Sequence, residues 1–227
     1  MSTEHPLDRP MWHALGGPQA ALNVGQGNVR RIDPAYGPFA GCAPGCEQDL
    51  AALVADYGEV WLVEPHEVAP PPGTRLIRSA PLLQMIADGA PHPCASDPQT
   101  VPLGEADVPE MTELALATEP GPWGPSTWRY GQFYGFRSEG RLAAMAGERM
   151  RPAEGLAEVS GVCTWPEFRG QGLAARLIRR VMADQRARGD VPYLHSYAGN
   201  AGAIRLYESL GFRARRAMVA TILGKAV

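Results

Sequence analysis

The chain has 227 residues, 45% of them hydrophobic and 20% charged, which allows one large domain or two small ones around a real core. A formal net charge of -3 leaves no basic excess, which argues against nucleic acid or an anionic membrane as a partner. No apolar run approaches the roughly 20 residues that a bilayer span needs, and the first residues lack the charged-then-apolar pattern of a secretory leader, so a cytoplasmic protein is expected. Lys225 is the only lysine among many arginines, alanines and prolines, a composition that suits a GC-rich bacterial coding genome.

In chain order, residues 48–57 read as a helix with Leu50, Leu53 and Val54 on its apolar stripe and Gly58 as its stop. Residues 59–63 read as a strand, 64–74 as a loop carrying Pro70-Pro71-Pro72-Gly73, 76–77 as a short strand and 82–88 as a helix. Residues 88–100 are rich in turn formers and lack periodicity, which predicts a boundary between an N-terminal α/β domain (1–95) and a second domain (100–227). The second domain then reads as a strand at 101–103, a helix at 107–118, a Pro/Gly loop at 119–126, and a hairpin of 131–136 and 141–147 around Ser138-Glu139-Gly140. A strand at 158–164 follows, then an amphipathic helix at 173–188 and a strand at 191–196. Asn200 caps the next helix, Gly211 ends it, and 217–223 is a last strand.

Cys42, Cys46, Cys94 and Cys163 are expected as free thiols in a reducing compartment. Cys42 and Cys46 with His92 and Cys94 match zinc spacing only loosely, and no metal is expected.

The segment Arg169-Gly170-Gln171-Gly172-Leu173-Ala174 joins a strand to a helix. A glycine-rich turn at a helix start directs free backbone N–H groups at an anion, so these residues are expected to grip a pyrophosphate. A second motif, Asn200-Ala201-Gly202-Ala203-Ile204-Arg205-Leu206-Tyr207-Glu208-Ser209-Leu210-Gly211-Phe212, lies about 25 residues further on. Together, and in this order of elements, the two motifs resemble those of the GNAT superfamily of N-acyltransferases over about residues 100–227. Residues 140–150 also look like a bacterial GNAT subgroup related to glycine N-acyltransferases. In such relatives the N-terminal half can be a degenerate copy of the same fold.

The resemblance implies an α/β fold with a mixed central sheet flanked by helices. It also implies an acetyl-CoA-dependent N-acetyltransferase that acts on a primary amine of a small molecule or amino acid, by direct attack through a tetrahedral intermediate. A non-catalytic acyl-CoA-binding module and a peptide or protein N-acetyltransferase are the alternatives. By the same resemblance, Val162, Cys163 and Thr164 present main-chain groups to the pantetheine arm, with the Val162 N–H as oxyanion donor. Asn200 adds a contact to that arm, and Tyr207 is the acid for the departing thiolate. Glu158 is expected on one strand face with Ser160 and Val162 by the period of two, where it would serve as base. Glu148 and His195 are the substitutes for that role. Trp123 and Trp128 are candidate acceptor contacts, and Cys163 as a covalent nucleophile is the minor route. Monomer and homodimer stay equally open.

Overall fold

A computed structural model describes residues 5–89 and 97–226. The strands are β1 (Val29–Arg31), β2 (Ala40–Cys42), β3 (Glu59–Glu64), β4 (Thr74–Ile86), β5 (Thr100–Leu103), β6 (Phe133–Ser138), β7 (Arg141–Glu148), β8 (Leu156–Thr164), β9 (Val191–Tyr197) and β10 (Arg213–Lys225). The helices are α1 (Pro10–Ala14), α2 (Leu50–Tyr57), α3 (Val108–Thr118), α4 (Leu173–Ala187) and α5 (Ala201–Ser209). Strands β1 and β2 form a small ribbon, and the other eight make one sheet in the order β3-β10-β4-β9-β8-β7-β6-β5. Every pairing in the large sheet is antiparallel except β8 with β9, which α4 joins as a crossover.

The sheet cuts across the boundary expected near residue 95. Strand β4 lies between β9 and β10, and β3 lies on the far side of β10. Residues 59–86 are thus interleaved with 191–225, and β3 and β4 are not neighbours of each other. Among the described residues the first half forms no sheet of its own beyond the β1–β2 ribbon, which does not fit a second copy of the fold.

The helix expected at 82–88 is the end of β4. Leu, Gln, Met and Ala favour a helix, but pairing on both sides of the strand outweighs that propensity. Pro81 fits a central strand because β9 pairing only begins at Leu82, and the Pro81 carbonyl still accepts from the Ala198 N–H at 3.0 Å.

Alternation along the strands sends side chains to two cores. Leu177, Ile178, Val181 and Met182 of α4 meet Met85, Val159 and Leu194 on one face, and α5 leans on the same core through Ile204, Leu206 and Tyr207. The opposite face is covered by the N-terminal segment, where Leu7, Met11 and Leu15 pack with Leu82, Ile86, Tyr193 and Ala220. Alongside them α3 packs Met111 and Leu114 on Phe133, Met145 and Cys163. No helix among the described residues is long and apolar enough to cross a membrane.

Candidate active site

Two local features open the sheet at its centre. The parallel pairing of β8 and β9 covers only Leu156 to Glu158 against Val191 to Tyr193, after which the strands have no mutual register. Strand β8 also carries a bulge, because its pairing with β7 skips from Ser160–Gly147 to Cys163–Met145. Two residues, Gly161 and Val162, therefore oppose Ala146 alone, and Gly161 takes φ +61. The extra residue breaks the period of two. Val162 packs on the α4 side with Val159, while Glu158 faces the N-terminal segment, so the expected shared face of Glu158 and Val162 does not exist. A bulge is not visible in alternation alone.

Beyond β8 the chain makes one short turn at Pro166–Phe168 and reaches the glycine segment. Gly170 and Gly172 have φ +78 and +76, and a Cβ on either would meet nothing within 4 Å, so the space in front of the turn is open. Gly172 is the cap of α4 and offers no side-chain hydrogen bond. The backbone N–H groups of Gly170, Gln171, Gly172, Leu173, Ala174 and Ala175 have no hydrogen-bond partner among the described residues; the ladder resumes with Arg176 N–H on the Gly172 carbonyl at 3.2 Å. Such a run of unbonded donors at the positive end of a four-turn helix suits a pyrophosphate. The Arg169 Nε is 3.3 Å from the Thr164 carbonyl, which ties the turn back to β8.

The cleft between the diverging strands encloses about 1030 Å³, mouth included. Val162, Asn200 and Tyr207 line one end. Asn200 caps α5 by accepting from the Ala203 N–H at 3.1 Å. Tyr207 is fixed by the way α5 stops. The Phe212 N–H donates to the Tyr207 carbonyl and the Gly211 N–H to the Glu208 carbonyl, with Gly211 at φ +92. The Phe212 ring then packs edge-on against Tyr207, with centroids 6.1 Å apart. Tyr207 is half-buried and lines the cleft, and its hydroxyl makes no hydrogen bond among the described residues. Burial, and secondarily the neighbouring Cys163, push its pKa up, so it holds its proton. Cys163 itself is buried on the other face, and burial pushes its thiol to about 12, which removes it as a nucleophile.

Glu158 is buried just under the floor of the cleft, which Arg149 and His195 line, and is under heavy restraint. Arg149 Nε and Nη2 donate to its two oxygens at 3.0 and 2.9 Å, the Met150 N–H adds a bond at 3.2 Å, and His195 Nδ1 lies 2.8 Å away. Burial acts to raise its pKa, but the Arg149 charge and the hydrogen bonds prevail and hold it at about 2. A carboxylate so acidic and so fully bonded is an anchor. The base role expected for Glu158 does not fit this geometry. The other ring nitrogen of His195 faces Gln84 Nε2 at 2.9 Å. That amide nitrogen also donates to the Leu7 carbonyl, and the amide oxygen accepts from Arg215, so His195 Nε2 is an acceptor and Nδ1–H donates to Glu158. Both nitrogens are occupied. Glu148 lies in a side cavity with both oxygens on Arg188, at 2.9 and 2.8 Å. Trp123 lines that side cavity and stacks edge-on with Phe133, and Trp128 packs on the α3 core, so neither reaches the main cleft. Of the loosely matched zinc set, Cys42 is buried beside Arg9 and Cys46 is half-buried, while His92 and Cys94 lie outside the described residues.

Comparison with known proteins bears on this geometry. The model of the FR47-like protein family matches residues 133–220. The N-alpha-acetyltransferase RimI of Mycobacterium tuberculosis is 32% identical over 131 residues, 52% of this chain and 80% of that protein. The ribosomal protein bS18 alanine N-acetyltransferase of Salmonella typhimurium is 30% identical over 116 residues, 48% of this chain and 77% of that one. A crystal structure from Novosphingobium aromaticivorans, assigned to the acetyltransferases of the GNAT family, is 73% identical over 99% of this chain and 100% of its own, with a TM-score of 0.96. This chain belongs to the GNAT family.

As a GNAT acetyltransferase it is an acyltransferase, and enzymes of this family use acetyl-CoA. The open turn and its unbonded N–H groups fit that molecule's pyrophosphate. The other end of the cleft was missed by sequence reasoning. Phe39, Trp61, Val63 and Leu82 line it, together with Glu119, Arg149 and Ala220. These positions come from six separated segments, and no motif joins them.

Proposed function

We propose that this GNAT enzyme transfers an acetyl group from acetyl-CoA to the primary amine of a small molecule or amino acid. The observation that carries the reading is the row of unbonded N–H groups from Gly170 to Ala175, tied by β8 to a cleft that holds Val162, Asn200 and Tyr207. The donor's pyrophosphate would lie on that turn, with Arg169 adding charge. The main chain of Val162, Cys163 and Thr164 and the side chain of Asn200 would guide the pantetheine arm. As the amine nitrogen bonds to the acetyl carbon, the carbonyl oxygen gains charge, and the Val162 N–H at the bulge is the donor for it. When the C–S bond breaks, the thiolate takes the Tyr207 proton. Glu158 is a positioning residue in this scheme, because it fixes Arg149 and the His195 ring beneath the reacting groups. The likeness of residues 140–150 to glycine N-acyltransferase relatives covers β7 and the two residues after it, Arg149 and Met150.

A second reading, acetylation of a protein N-terminus, is favoured by the names of the two curated relatives. The first is preferred because Phe39, Trp61 and Val63, outside the segment matched by the FR47-like model, wall the acceptor side of the cleft. Thiol release from acetyl-CoA against a panel of free amines, amino acids and N-terminal peptides tests the choice. Turnover with small amines supports the first reading, and turnover confined to peptides replaces it with the second.

A further inference from the structure

We propose that the far end of the cleft is a site for an α-amino acid with an apolar side chain. Arg149 Nη1 would hold its carboxylate, Glu119 its ammonium, and Phe39 and Trp61 its side chain. This rests on the acetyl-transfer reading and names the acceptor for it.

Arg149 spends two of its three nitrogens on Glu158, and Nη1 has no hydrogen-bond partner among the described residues. Its side chain is only 13% exposed, so Nη1 is a directed donor in a largely desolvated place. The guanidinium is held from one side by Glu158 and from another by the Phe39 ring, 4.7 Å from its carbon. Its Nη1 looks toward the loop after α3, since a Cβ on Gly121 would stand 3.6 Å from it. That loop begins with Glu119, which lines the cleft in the left-handed conformation, at φ 47 and ψ 56. The Glu119 carboxylate is exposed and makes no ion pair or hydrogen bond among the described residues, unlike Glu148 and Glu158. Phe39 and Trp61 meet edge-on, with centroids 6.4 Å apart, and face the cleft beside Leu82 and Ala220.

One end thus offers a fixed cation donor, a free carboxylate and an apolar wall. A free amino acid has the three matching parts on one carbon. A carboxylate on Nη1 makes a charge-assisted bond of about twice the strength of a neutral one, which a peptide carbonyl cannot match. Glu119 takes one proton from the ammonium, and the freed amine lone pair then forms the N–C bond; the second proton leaves the nitrogen as the C–S bond breaks and restores the Tyr207 hydroxyl that protonated the thiolate.

The test uses the full-length protein saturated with CoA and follows binding by calorimetry. L-Phenylalanine is compared with phenethylamine, which lacks the carboxylate, with 3-phenylpropionate, which lacks the ammonium, and with a phenylalanyl peptide. Phenylalanine is expected to bind at least tenfold tighter than each. Glu119→Gln is expected to weaken it tenfold or more and to lower its kcat/KM as much, with CoA affinity unchanged. Equal binding of phenylalanine and phenethylamine overturns the amino acid site while leaving acetyl transfer intact. Tighter binding of the peptide overturns it in favour of a protein N-terminus. Failure of CoA itself to bind removes the transfer reading, and this inference with it.

Discussion

The two ends of the cleft are built from different materials. At the α4 end the surface is main chain: N–H groups from Gly170 to Ala175 without partners, and two glycines with open space where a Cβ would be. At the opposite end it is side chains: Arg149 and His195, both fastened to the Glu158 buried beneath them, and a wall of Phe39 and Trp61. On the proposed reading, the backbone donors would recognise a group common to every reaction of the enzyme. A wall of side chains from separated segments can change with the acceptor while the turn stays fixed. The difference also predicts separable damage: changes at the floor should cost stability, and changes at the turn should cost cofactor.

The largest effect is expected at the floor. Glu158→Gln leaves Arg149 buried without its counter-charge, which should cost about 3–5 kcal/mol in urea unfolding. A loss under about 1 kcal/mol would mean that the two ends are not built so differently. At the turn, Gly172→Glu should abolish acetyl-CoA binding, because the new carboxylate fills the anion's space. Its cost to stability should be only about 1–3 kcal/mol, from φ +76 on a residue with a Cβ. Between the ends, Tyr207→Phe should lower kcat by about 100-fold, with CoA affinity nearly unchanged. Steady-state kinetics with wild-type turnover would remove Tyr207 as the acid.

A pH series sharpens the same contrast. The folded-state pKa of Glu158 is lowered from 4.5 to about 2. Its contribution to stability is therefore complete above about 4.5 and is lost as pH falls toward 2. Urea midpoints of the native protein should fall across that window, and those of Glu158→Gln should fall less. The smallest effect is expected at the wall, where Trp61→Ala should raise KM for apolar amino acids several-fold and leave acetyl-CoA binding unaltered.

The same division governed what could be read from the sequence. The Arg169–Ala174 turn and the Asn200–Gly211 helix are local, so spacing and glycine chemistry reveal them, including the way Gly211 ends the helix and pins Tyr207. The end proposed for the acceptor depends on β4 entering the sheet between β9 and β10, a pairing more than 100 residues apart in the chain. No local pattern signals that pairing, and residues 82–86 even favour a helix by composition. The bulge at Gly161 and Val162 is hidden for a related reason, because an extra residue in a strand leaves hydrophobic alternation looking intact until the partner strand is known. Once β4 is in place, Gln84 meets His195, and the expected base becomes an anchored carboxylate.

The most direct test is calorimetric titration of the native protein and of Gly172→Glu with acetyl-CoA. The account predicts micromolar binding to the native protein and none to the variant, with both folded. Equal binding to the two, or no binding to the native protein, would contradict the assignment of the Gly170–Ala175 backbone as the cofactor's anchor.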